Sequence, residues 1–375
     1  MTTVVAHDGQ ALLSTLATAL IALERQDQLD SFSLPYPDEA QLALDRTVLL
    51  CLLHGADPPL SLAELVLWCR ERPVSDWPLD LPDALVGPDD RLLDLDSGRP
   101  TELCHEWAAH GRDSAGKLCD REVFDRAMRA CREYGEPDSY TAFRDMLVNR
   151  PVLTHGGMEI MFELLLEPVR DLLDEIYWDV PDSFLRDGRY AVCGRCRTLL
   201  TPVPGDGWWC ERDRCRRQGP PPVGRYLTPA DDGPVRQLAR PFRQFVTGPG
   251  RAEIDLRDAL SALGLSVAMW PGYDSYDLRV TFPDGHVWAI DVKDRANPAL
   301  LGRTARPIPT DPPYDEGFWV VPHHRLDARS DYVRVFERSR SEEAGGLVLV
   351  ADEELCRRAR RRLRGETADR RRKHA

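Results

Sequence analysis

The chain has 375 residues, of which 42% are hydrophobic and 30% are charged, and its formal net charge is −13. This length suits two or three domains, and the composition excludes a chain that is disordered throughout. We find no apolar run near the roughly 20 residues of a membrane span and no secretory signal, so we expect a soluble, cytoplasmic protein.

The charge is distributed unevenly along the chain. Residues 1–190 contain 36 acidic and 17 basic residues, net −19, whereas residues 191–375 contain 26 acidic and 32 basic residues, net +6. A basic region favours a polyanionic partner and an acidic region disfavours one. The pattern predicts that nucleic acid, with DNA favoured, binds the C-terminal half. The N-terminal half should repel nucleic acid and dock a protein partner.

The first 185 residues have the apolar spacing of helices. We interpret residues 1–185 as an acidic helical domain with a docking or regulatory role. The predicted helices are Ala11–Leu23, Glu39–Leu53, Leu62–Cys69, Arg121–Tyr134 and Met158–Ile176.

Cysteines in this helical region show no metal-like pairing, and Cys356 stands alone near the other end of the chain. Buried, reduced thiols fit a reducing compartment. A metal site could be drawn from His105, His110, Cys104 and Cys119, but these residue types also scatter through ordinary helical domains. The unpaired cysteines of this region are Cys51, Cys69, Cys104, Cys119 and Cys131.

Two short-spaced cysteine pairs follow the helical region. Cys193 and Cys196 form a Cys-x2-Cys pair, Cys210 and Cys215 form a Cys-x4-Cys pair, and thirteen residues separate the two pairs. This is the layout of a four-cysteine zinc site, with a turn at residues 204–207 between short strands. The spacing predicts a zinc ribbon over residues 188–219 with a structural Zn²⁺. Two disulfides or chance clustering are the alternatives.

Arginines and two tryptophans surround these cysteines. The side chains could contact phosphates and bases, or the tryptophans could pack the ribbon against its neighbour while the arginines are solvated. A Pro-rich connector over residues 220–247, with a bridging helix near Val235–Val246, then leads to the C-terminal domain. The residues around the cysteines are Arg195, Arg197, Arg212, Arg214, Arg216, Arg217, Trp208 and Trp209.

A β-hairpin is predicted between residues 276 and 293, because apolar and polar residues alternate on both sides of Pro283-Asp284-Gly285. A three-residue loop with Gly in the left-handed conformation places Phe282 opposite His286, and therefore Asp277 opposite Asp291. Opposed residues on one face have Cβ atoms about 4.5–5.5 Å apart. Two carboxylates at that distance repel each other unless a cation lies between them, so the hairpin predicts a divalent metal ion.

A helix predicted over residues 252–263 places Glu253 on the same face as Leu256, Leu260 and Leu263. A carboxylate on an apolar face needs a partner, and a metal ion would supply one. The remaining predicted elements of this region are strands at Leu265–Trp270, Phe318–Val321 and Leu347–Val350, and a helix at Asp331–Arg338.

These residues resemble the PD-(D/E)xK, or restriction-endonuclease-like, superfamily. Asp277 matches its first acid, Asp291-Val292-Lys293 its second motif and Glu253 its helical acid, whereas Tyr276 stands where the pattern has Pro. The resemblance implies a C-terminal α/β domain over residues 248–375 with a mixed central sheet.

The resemblance also implies that this domain hydrolyses phosphodiester bonds. Mg²⁺ would be held by Asp277, Asp291 and Glu253, while Lys293 orients or helps to deprotonate the attacking water. Asp294 could add a contact outside the metal ligands. The alternative is an ordinary sheet in which Asp277 and Lys293 form a solvated ion pair.

The order of helical region, zinc ribbon and nuclease core is similar to that of nucleases encoded in bacterial conflict islands beside PIWI-like proteins and helicases. This similarity implies a DNA nuclease in antiviral defence. An RNA nuclease, or a non-enzymatic adaptor that binds nucleic acid or a helicase or PIWI-like partner, are the alternatives. The basic tail could be a frayed helix end or a nucleic-acid contact. Its basic residues are Arg357, Arg358, Arg360, Arg361, Arg362, Arg364, Arg370, Arg371, Arg372 and Lys373.

Overall fold

The computed structural model describes residues 9–26, 29, 31–82, 84–110 and 115–365. Helices dominate the N-terminal part, as predicted. Their bounds are α1 (Gly9–Arg25), α2 (Asp38–Leu53), α3 (Leu62–Glu71), α4 (Glu102–His110), α5 (Ala115–Tyr134), α6 (Pro137–Asn149), α7 (His155–Phe162) and α8 (Glu167–Ile176).

The prediction of one helix over residues 158–176 is wrong, because the structure contains two helices there. α7 ends at Phe162, and α8 begins at Glu167 with Pro168 in its first turn. Proline is tolerated in the first turn, where its missing N–H is not needed, but it would break the interior of a continuous helix.

Two hydrophobic clusters organise these helices, and both include residues from beyond position 185. The helices α1–α4 form a cluster that also contains Ala299, Leu300 and Val335. The helices α5–α8 form a second cluster that also contains Phe242 and Val246. The helical region is therefore packed into the rest of the molecule and does not stand apart from it.

The middle of the chain consists of short strands and turns. β1 belongs to this region because it pairs with β7. The bounds are β1 (Val152–Leu153), β2 (Tyr177–Asp179), β3 (Tyr190–Cys193), β4 (Leu200–Pro202), β5 (Trp208–Cys210), α9 (Asp213–Arg217), β6 (Val223–Leu227), α10 (Pro229–Asp232), β7 (Arg236–Leu238) and α11 (Arg240–Phe242), followed by a π-helical turn, Arg243–Thr247.

The segment 220–247, predicted as a linker with one bridging helix, instead joins two small sheets. β6 pairs with β3, and β7 lies between β1 and β2. A Cβ atom on Gly224 would lie 2.7 Å from the Cα of Gly194, so only glycine allows β6 to approach the turn after β3 this closely. The prolines at 220–222 precede β6, where a missing N–H costs no ladder hydrogen bond.

The C-terminal part is an α/β domain around a five-stranded sheet. Its strand order is β12-β11-β10-β9-β8, in which β10, β11 and β12 are parallel and the other pairs are antiparallel, so the predicted mixed sheet is confirmed. The bounds are α12 (Gly248–Ser261), β8 (Ser266–Met269), α13 (Pro271–Asp274), β9 (Leu278–Thr281), β10 (Val287–Val292), α14 (Pro298–Arg303), β11 (Glu316–Val321), α15 (His323–Ala328), α16 (Tyr332–Ser339), β12 (Val348–Ala351) and α17 (Asp352–Leu363).

Helices cover both faces of this sheet. Leu278 and Ile290 pack in one cluster with residues of α12 and α17, while Ala289 packs on the other face with residues of α14 and α16. The hairpin is therefore more deeply buried than its period-2 pattern predicted. α17 buries Leu355 and Ala359 against the sheet, so its basic residues up to 363 belong to a packed helix. The basic residues 370–373 lie outside the described residues.

Candidate functional site

The hairpin between β9 and β10 has the predicted register. The N–H of Phe282 donates to the carbonyl of His286 at 2.9 Å, and Gly285 has φ +83°. Leu278 pairs with Ile290, and one further step along the ladder places Asp277 opposite Asp291. The turn chemistry thus brings these two acids to the same end of the hairpin.

Lys293 pairs with Asp291 and not with Asp277. Its Nζ atom lies 3.1 Å from Asp291 Oδ2 and 4.9 Å from the centre of the Trp319 ring. The side chains of Lys293 and Asp291 remain 26% and 15% exposed, so both are accessible to solvent. Although burial opposes its charge, Asp291 and then Asp277 raise the pKa of Lys293. The lysine is therefore held protonated beside the acids.

Asp277 is buried against the backbone of β10. Its Oδ2 accepts a hydrogen bond from the N–H of Val292 at 2.6 Å. Burial raises the pKa of Asp277 well above its ordinary value, and the charges of Glu253 and Asp291 raise it further. The fold thus forces carboxylates together in a setting where their joint ionisation requires a counter-charge.

Glu253 extends from the first turns of α12 and is 3% exposed. Its Oε2 accepts a hydrogen bond from Trp270 Nε1 at 2.6 Å and lies 3.8 Å from a terminal nitrogen of Arg144. Burial raises the pKa of Glu253, whereas Arg144 acts in the opposite direction. Glu253 therefore belongs to the same cluster as Asp277.

Arg144 and Asp274 also belong to this cluster, although the sequence did not predict them. The Nε atom of Arg144, on α6, lies 3.0 Å from Asp274 Oδ2. Burial raises the pKa of Asp274, Arg144 lowers it and Asp291 raises it. One signal could have indicated Arg144, since it shares a helical face with Tyr140, Phe143 and Leu147, which are buried.

The cluster contains more acidic than basic side chains. If the four carboxylates were ionised, the two cations would leave a surplus of two negative charges, which is the charge that one divalent cation neutralises. The alternative is protonation, which agrees with the raised pKa values of Glu253, Asp274 and Asp277. Carboxylate oxygens are the ligands that Mg²⁺ prefers. The acids are Glu253, Asp274, Asp277 and Asp291, and the bases are Arg144 and Lys293.

The four cysteines form a second, tighter cluster. Cys193, Cys196, Cys210 and Cys215 are buried, and their sulfur atoms lie within 4.8 Å of one another. Across the described residues, this is the one group of three or more Cys, His, Asp or Glu ligands that lies so close together. No three of the described carboxylates bring oxygen atoms within this distance of one another, so three of them would hold one ion only after their side chains move closer together.

The sulfur atoms are too far apart for disulfides. Cys196 and Cys210 have sulfurs 3.5 Å apart, whereas a disulfide bond is about 2.05 Å long. Four sulfurs bound tetrahedrally at about 2.3 Å would lie about 3.8 Å from one another. Hydrogen bonds from the other three thiols lower the pKa of Cys193. The predicted cysteines therefore form a cluster that could hold a metal ion.

Most polar groups of the ribbon contact protein atoms. Arg195 donates to the carbonyl groups of Cys215 and Gly219, and the guanidinium of Arg216 lies 5.0 Å from the ring centre of the buried Trp209. These contacts lie within the ribbon and hold Arg195 and Arg216 against protein atoms, whereas the packing interpretation predicted solvated arginines. Arg197 and Arg225 are exposed.

Asp294 lies in a different environment from the one predicted. It pairs with Arg325 at 2.5 Å, with His324 at 3.2 Å and with Arg212 at 3.5 Å. Although burial opposes ionisation, these three partners, Arg325 foremost, lower the pKa of Asp294. Glu102 of α4 pairs with both Arg325 and Arg212. Asp294 therefore connects the end of β10 to the ribbon through Arg212, and to α4 through the arginines that it shares with Glu102.

The alternative metal site in the helical region is not formed by the described residues. His105 Nε2 accepts a hydrogen bond from Arg240 Nε at 3.0 Å, and burial together with Arg240 lowers the pKa of His105. Cys104 contacts the carbonyl of Ala17, and His110 lies edge-on to Trp107. The side chain of Cys119 lies outside the described residues.

A mixed sheet whose hairpin brings an acid beside an Asp-x-Lys strand is the arrangement of restriction-endonuclease-like proteins. Comparison with protein families points to the same class. Residues 250–367 match the family described as "REase associating with pPIWI_RE", and residues 12–154 match "pPIWI_RE three-gene island domain Y". Both matches support the identification of the chain as the component of these PIWI-associated islands that carries the restriction-endonuclease-related domain.

Neither curated proteins nor solved structures gave a significant match. In the part of the chain that the structure describes, no helix combines the length and the apolar character needed to cross a membrane.

Proposed function

We propose that this protein is a Mg²⁺-dependent nuclease that hydrolyses phosphodiester bonds, with DNA as its substrate, in bacterial antiviral defence. The observation that supports it most is the buried surplus of carboxylates beside Lys293, inside the region that matches a restriction-endonuclease family. A solvated ion pair on an ordinary sheet would not require four acids to share one buried cluster.

The roles of the residues follow from their positions. Asp277, Asp291 and the Oε1 atom of Glu253 would hold the ion, since the Oε2 atom of Glu253 contacts Trp270 and Arg144. When bound, Mg²⁺ supplies Lewis-acid polarisation of the phosphate and a water of lowered pKa. Lys293, fixed by Asp291 and the Trp319 ring, orients the attacking water and offsets negative charge on the phosphate.

We further propose that the cysteine cluster binds a structural Zn²⁺. Four thiolates leave no open coordination position, so the ion would have no part in the chemistry. The ribbon strands β3, β4 and β5 are too short to enclose a core of their own, and metal binding would provide folding free energy.

Nucleic acid would bind along a cleft between the ribbon and the end of α6. This cleft, about 720 Å³ in volume, is lined by Arg150, Arg197 and Arg225, which are exposed. Arg197 and Arg251 both donate to the same oxygen, Asn149 Oδ1, at 3.0 and 2.8 Å. Two guanidinium groups that share one neutral acceptor favour an anion nearby, and a phosphate backbone supplies anions in series.

The protein partner would be PIWI-like, as the descriptions of both matched families suggest. We place its docking surface on the acidic helical region, where α2 exposes Leu42, Leu49, Leu52 and Leu53. Exposed leucines on one helix are a feature of protein-binding surfaces.

Purified full-length protein incubated with supercoiled plasmid, linear duplex, single-stranded DNA and RNA tests the proposal. Each substrate is offered with Mg²⁺, Mn²⁺ or EDTA. We expect DNA cleavage with Mg²⁺ or Mn²⁺ and none with EDTA. Cleavage of RNA alone would support the RNA nuclease, and binding without cleavage in every metal would support the adaptor.

A further inference from the structure

The region that matches domain Y contributes a side chain to the candidate nuclease site. We propose that Arg144 of α6 is a positioning residue for that site, which holds Glu253 and the loop bearing Asp274 in the arrangement that cleavage requires. This inference rests on the proposed nuclease function.

Arg144 is buried between the N-terminal region that matches domain Y and the C-terminal α/β domain, with 6% of its surface exposed. Its Nε lies 3.0 Å from Asp274 Oδ2, and a terminal nitrogen donates to Asp274 Oδ1 at 3.5 Å. The same terminal nitrogen lies 3.8 Å from Glu253 Oε2. One planar guanidinium thus connects two acids on different elements, a geometry that lysine cannot reproduce.

Two aromatic rings lie close to the guanidinium of Arg144. Its carbon lies 5.3 Å from the ring centre of Trp270 and 5.2 Å from that of Phe124. Trp270 also donates to Glu253 Oε2, the oxygen that faces Arg144. Arg144, Trp270 and Glu253 therefore form a closed set of contacts in which the position of each depends on the other two.

The loop that Arg144 contacts includes α13 (Pro271–Asp274), whose backbone is not helical at Gly272 and Tyr273. Trp270, Tyr273 and Asp274 have φ values of +47°, +60° and +70°, in the left-handed region that side chains disfavour. Such a conformation persists only where surrounding contacts hold it. Here α6 supplies them, since Arg144 binds Asp274 and the ring of Tyr140 lies edge-on to Tyr273 at 5.7 Å. The loop leads directly into Asp277.

Close packing ties α6 to the helix that bears Glu253. A Cβ atom on Gly250 would lie 2.3 Å from a methyl carbon of Val148, so glycine is required where α6 meets the first turn of α12. Thr247 Oγ1 donates to the carbonyl of Leu147 at 2.7 Å. The position of α6 therefore sets the position of Arg144 relative to the acids. Because Arg144 pairs with Asp274 and contacts only the Oε2 atom of Glu253, the Oε1 atom of Glu253, Asp277 and Asp291 remain for the ion.

The test compares full-length Arg144→Met and Arg144→Lys with a matched control, Arg126→Met. Arg126 also forms a two-point pair with a carboxylate, Glu175, but on the surface of α5. Cleavage kinetics, thermal unfolding and Mn²⁺ binding by calorimetry are measured on each. Arg144→Met should lower kcat by about 100-fold, since a small displacement of catalytic groups has an effect of that size.

The other measurements distinguish a positioning role of Arg144 from a general loss of folding. KM should change little in Arg144→Met. Mn²⁺ binding should persist or become tighter, because a cation has been removed beside the acids. Arg144→Lys should recover part of kcat, and Arg126→Met should match the wild type. A wild-type kcat in Arg144→Met would overturn the proposal.

A second variant covers the case in which Arg144→Met does not fold. Asp274→Asn keeps the size of the side chain and removes its charge, and it should also lower kcat. The double variant Asp274→Asn with Arg144→Lys should lose less kcat than the two single losses combined, because the two residues act as a pair. Additive effects would contradict the proposal. A wild-type chain that cleaves no nucleic acid would refute the proposed function itself, whereas an active wild type with a fully active Arg144→Met refutes only the role of Arg144.

Discussion

The two candidate metal centres differ in how they are assembled. All four cysteines lie within residues 193–215, and their sulfurs lie within 4.8 Å of one another. The carboxylate cluster draws Arg144 from α6, Glu253 from α12, Asp274 from a loop, and Asp291 from β10. One centre is local and closed, and the other is spread and open. The first suits a structural role, and the second suits chemistry on an incoming substrate.

The largest effect should follow from removal of the lysine of the open centre. We expect Lys293→Ala to lower the cleavage rate by about 10²- to 10³-fold, because a fixed cation at the phosphate is lost. Zinc content and overall fold should be unchanged. Plasmid nicking and circular dichroism measure these. An exposed acid on α12, Asp258, provides the control as Asp258→Ala. Cleavage by Lys293→Ala at the control rate would remove Lys293 from the site.

The closed centre is broken by Cys193→Ser combined with Cys196→Ser. Elemental analysis should show about one Zn²⁺ per wild-type chain and none in the variant, because two of the four ligands of the zinc site are absent. Thermal unfolding should occur at a markedly lower temperature, since metal binding and ribbon folding are coupled. Cys356→Ser, at a partly buried cysteine of α17, is the control. Wild-type protein without metal would contradict the zinc assignment.

Disruption of the buried ion pairs that Glu102 and Asp294 form with Arg212 and Arg325 should affect the two centres differently. Glu102→Ala removes one of the two buried acids that pair with both Arg212 and Arg325, and breaking such a pair costs about 3–5 kcal/mol of unfolding free energy. The zinc content should persist because its ligands are local, whereas cleavage should fall with the stability of the packed regions. Denaturant unfolding and elemental analysis test this. Glu24→Ala is the control, since Glu24 pairs with Arg99 at a partly exposed position. Unchanged stability in Glu102→Ala would show that the regions fold independently.

Because the N-terminal helices pack against the C-terminal half, the predicted roles of the two halves cannot be tested with separate fragments. The charge asymmetry predicted that a fragment of residues 191–375 would bind nucleic acid at least as well as the full chain. The structure places Ala299, Leu300 and Val335 of that fragment in the cluster formed by α1–α4. A fragment would expose these apolar residues, so nucleic-acid affinity should be measured with the full-length protein.

The smallest effect concerns the arginines of the cleft. Arg197→Ala and Arg225→Ala should each weaken nucleic-acid binding several-fold and reduce the slope of log K against log salt by about one. Fluorescence anisotropy between about 50 and 200 mM salt measures this slope. Arg195→Ala should not reduce the slope, because Arg195 donates to backbone carbonyl groups of the ribbon. Equal slopes of log K against log salt in all three variants would show that nucleic acid does not bind in this cleft.

The sequence predicted what depends on local spacing. The Pro283-Asp284-Gly285 turn set the hairpin register, and the two cysteine pairs set the ribbon cluster, because each is encoded within a few residues. Arg144 could not be assigned to the site, since its partners lie more than 100 residues away and only tertiary packing brings them together. Asp274 was missed for a related reason. Gly272 marks a turn there, but nothing in the sequence indicates that Asp274 itself has a positive φ or that its partner is Arg144.

The segment 220–247 shows the same limit. Its prolines indicated a linker, but pairing of β6 with β3 and of β7 with β1 and β2 is decided by partners distant in sequence. The buried environment of Asp294 likewise depends on Arg325 and on Glu102 of α4.

Cleavage by wild-type protein and Asp291→Asn, measured side by side on the same DNA with Mg²⁺ and with EDTA, tests the central claim most directly. Asparagine keeps the size of the side chain while it removes the charge that faces Lys293 and the proposed ion. Wild-type protein should cleave with Mg²⁺ and stop with EDTA, while the folded variant should cleave in neither. Cleavage by Asp291→Asn at the wild-type rate, or wild-type cleavage that persists in EDTA, would contradict a metal-dependent nuclease centred on Asp277, Asp291 and Lys293.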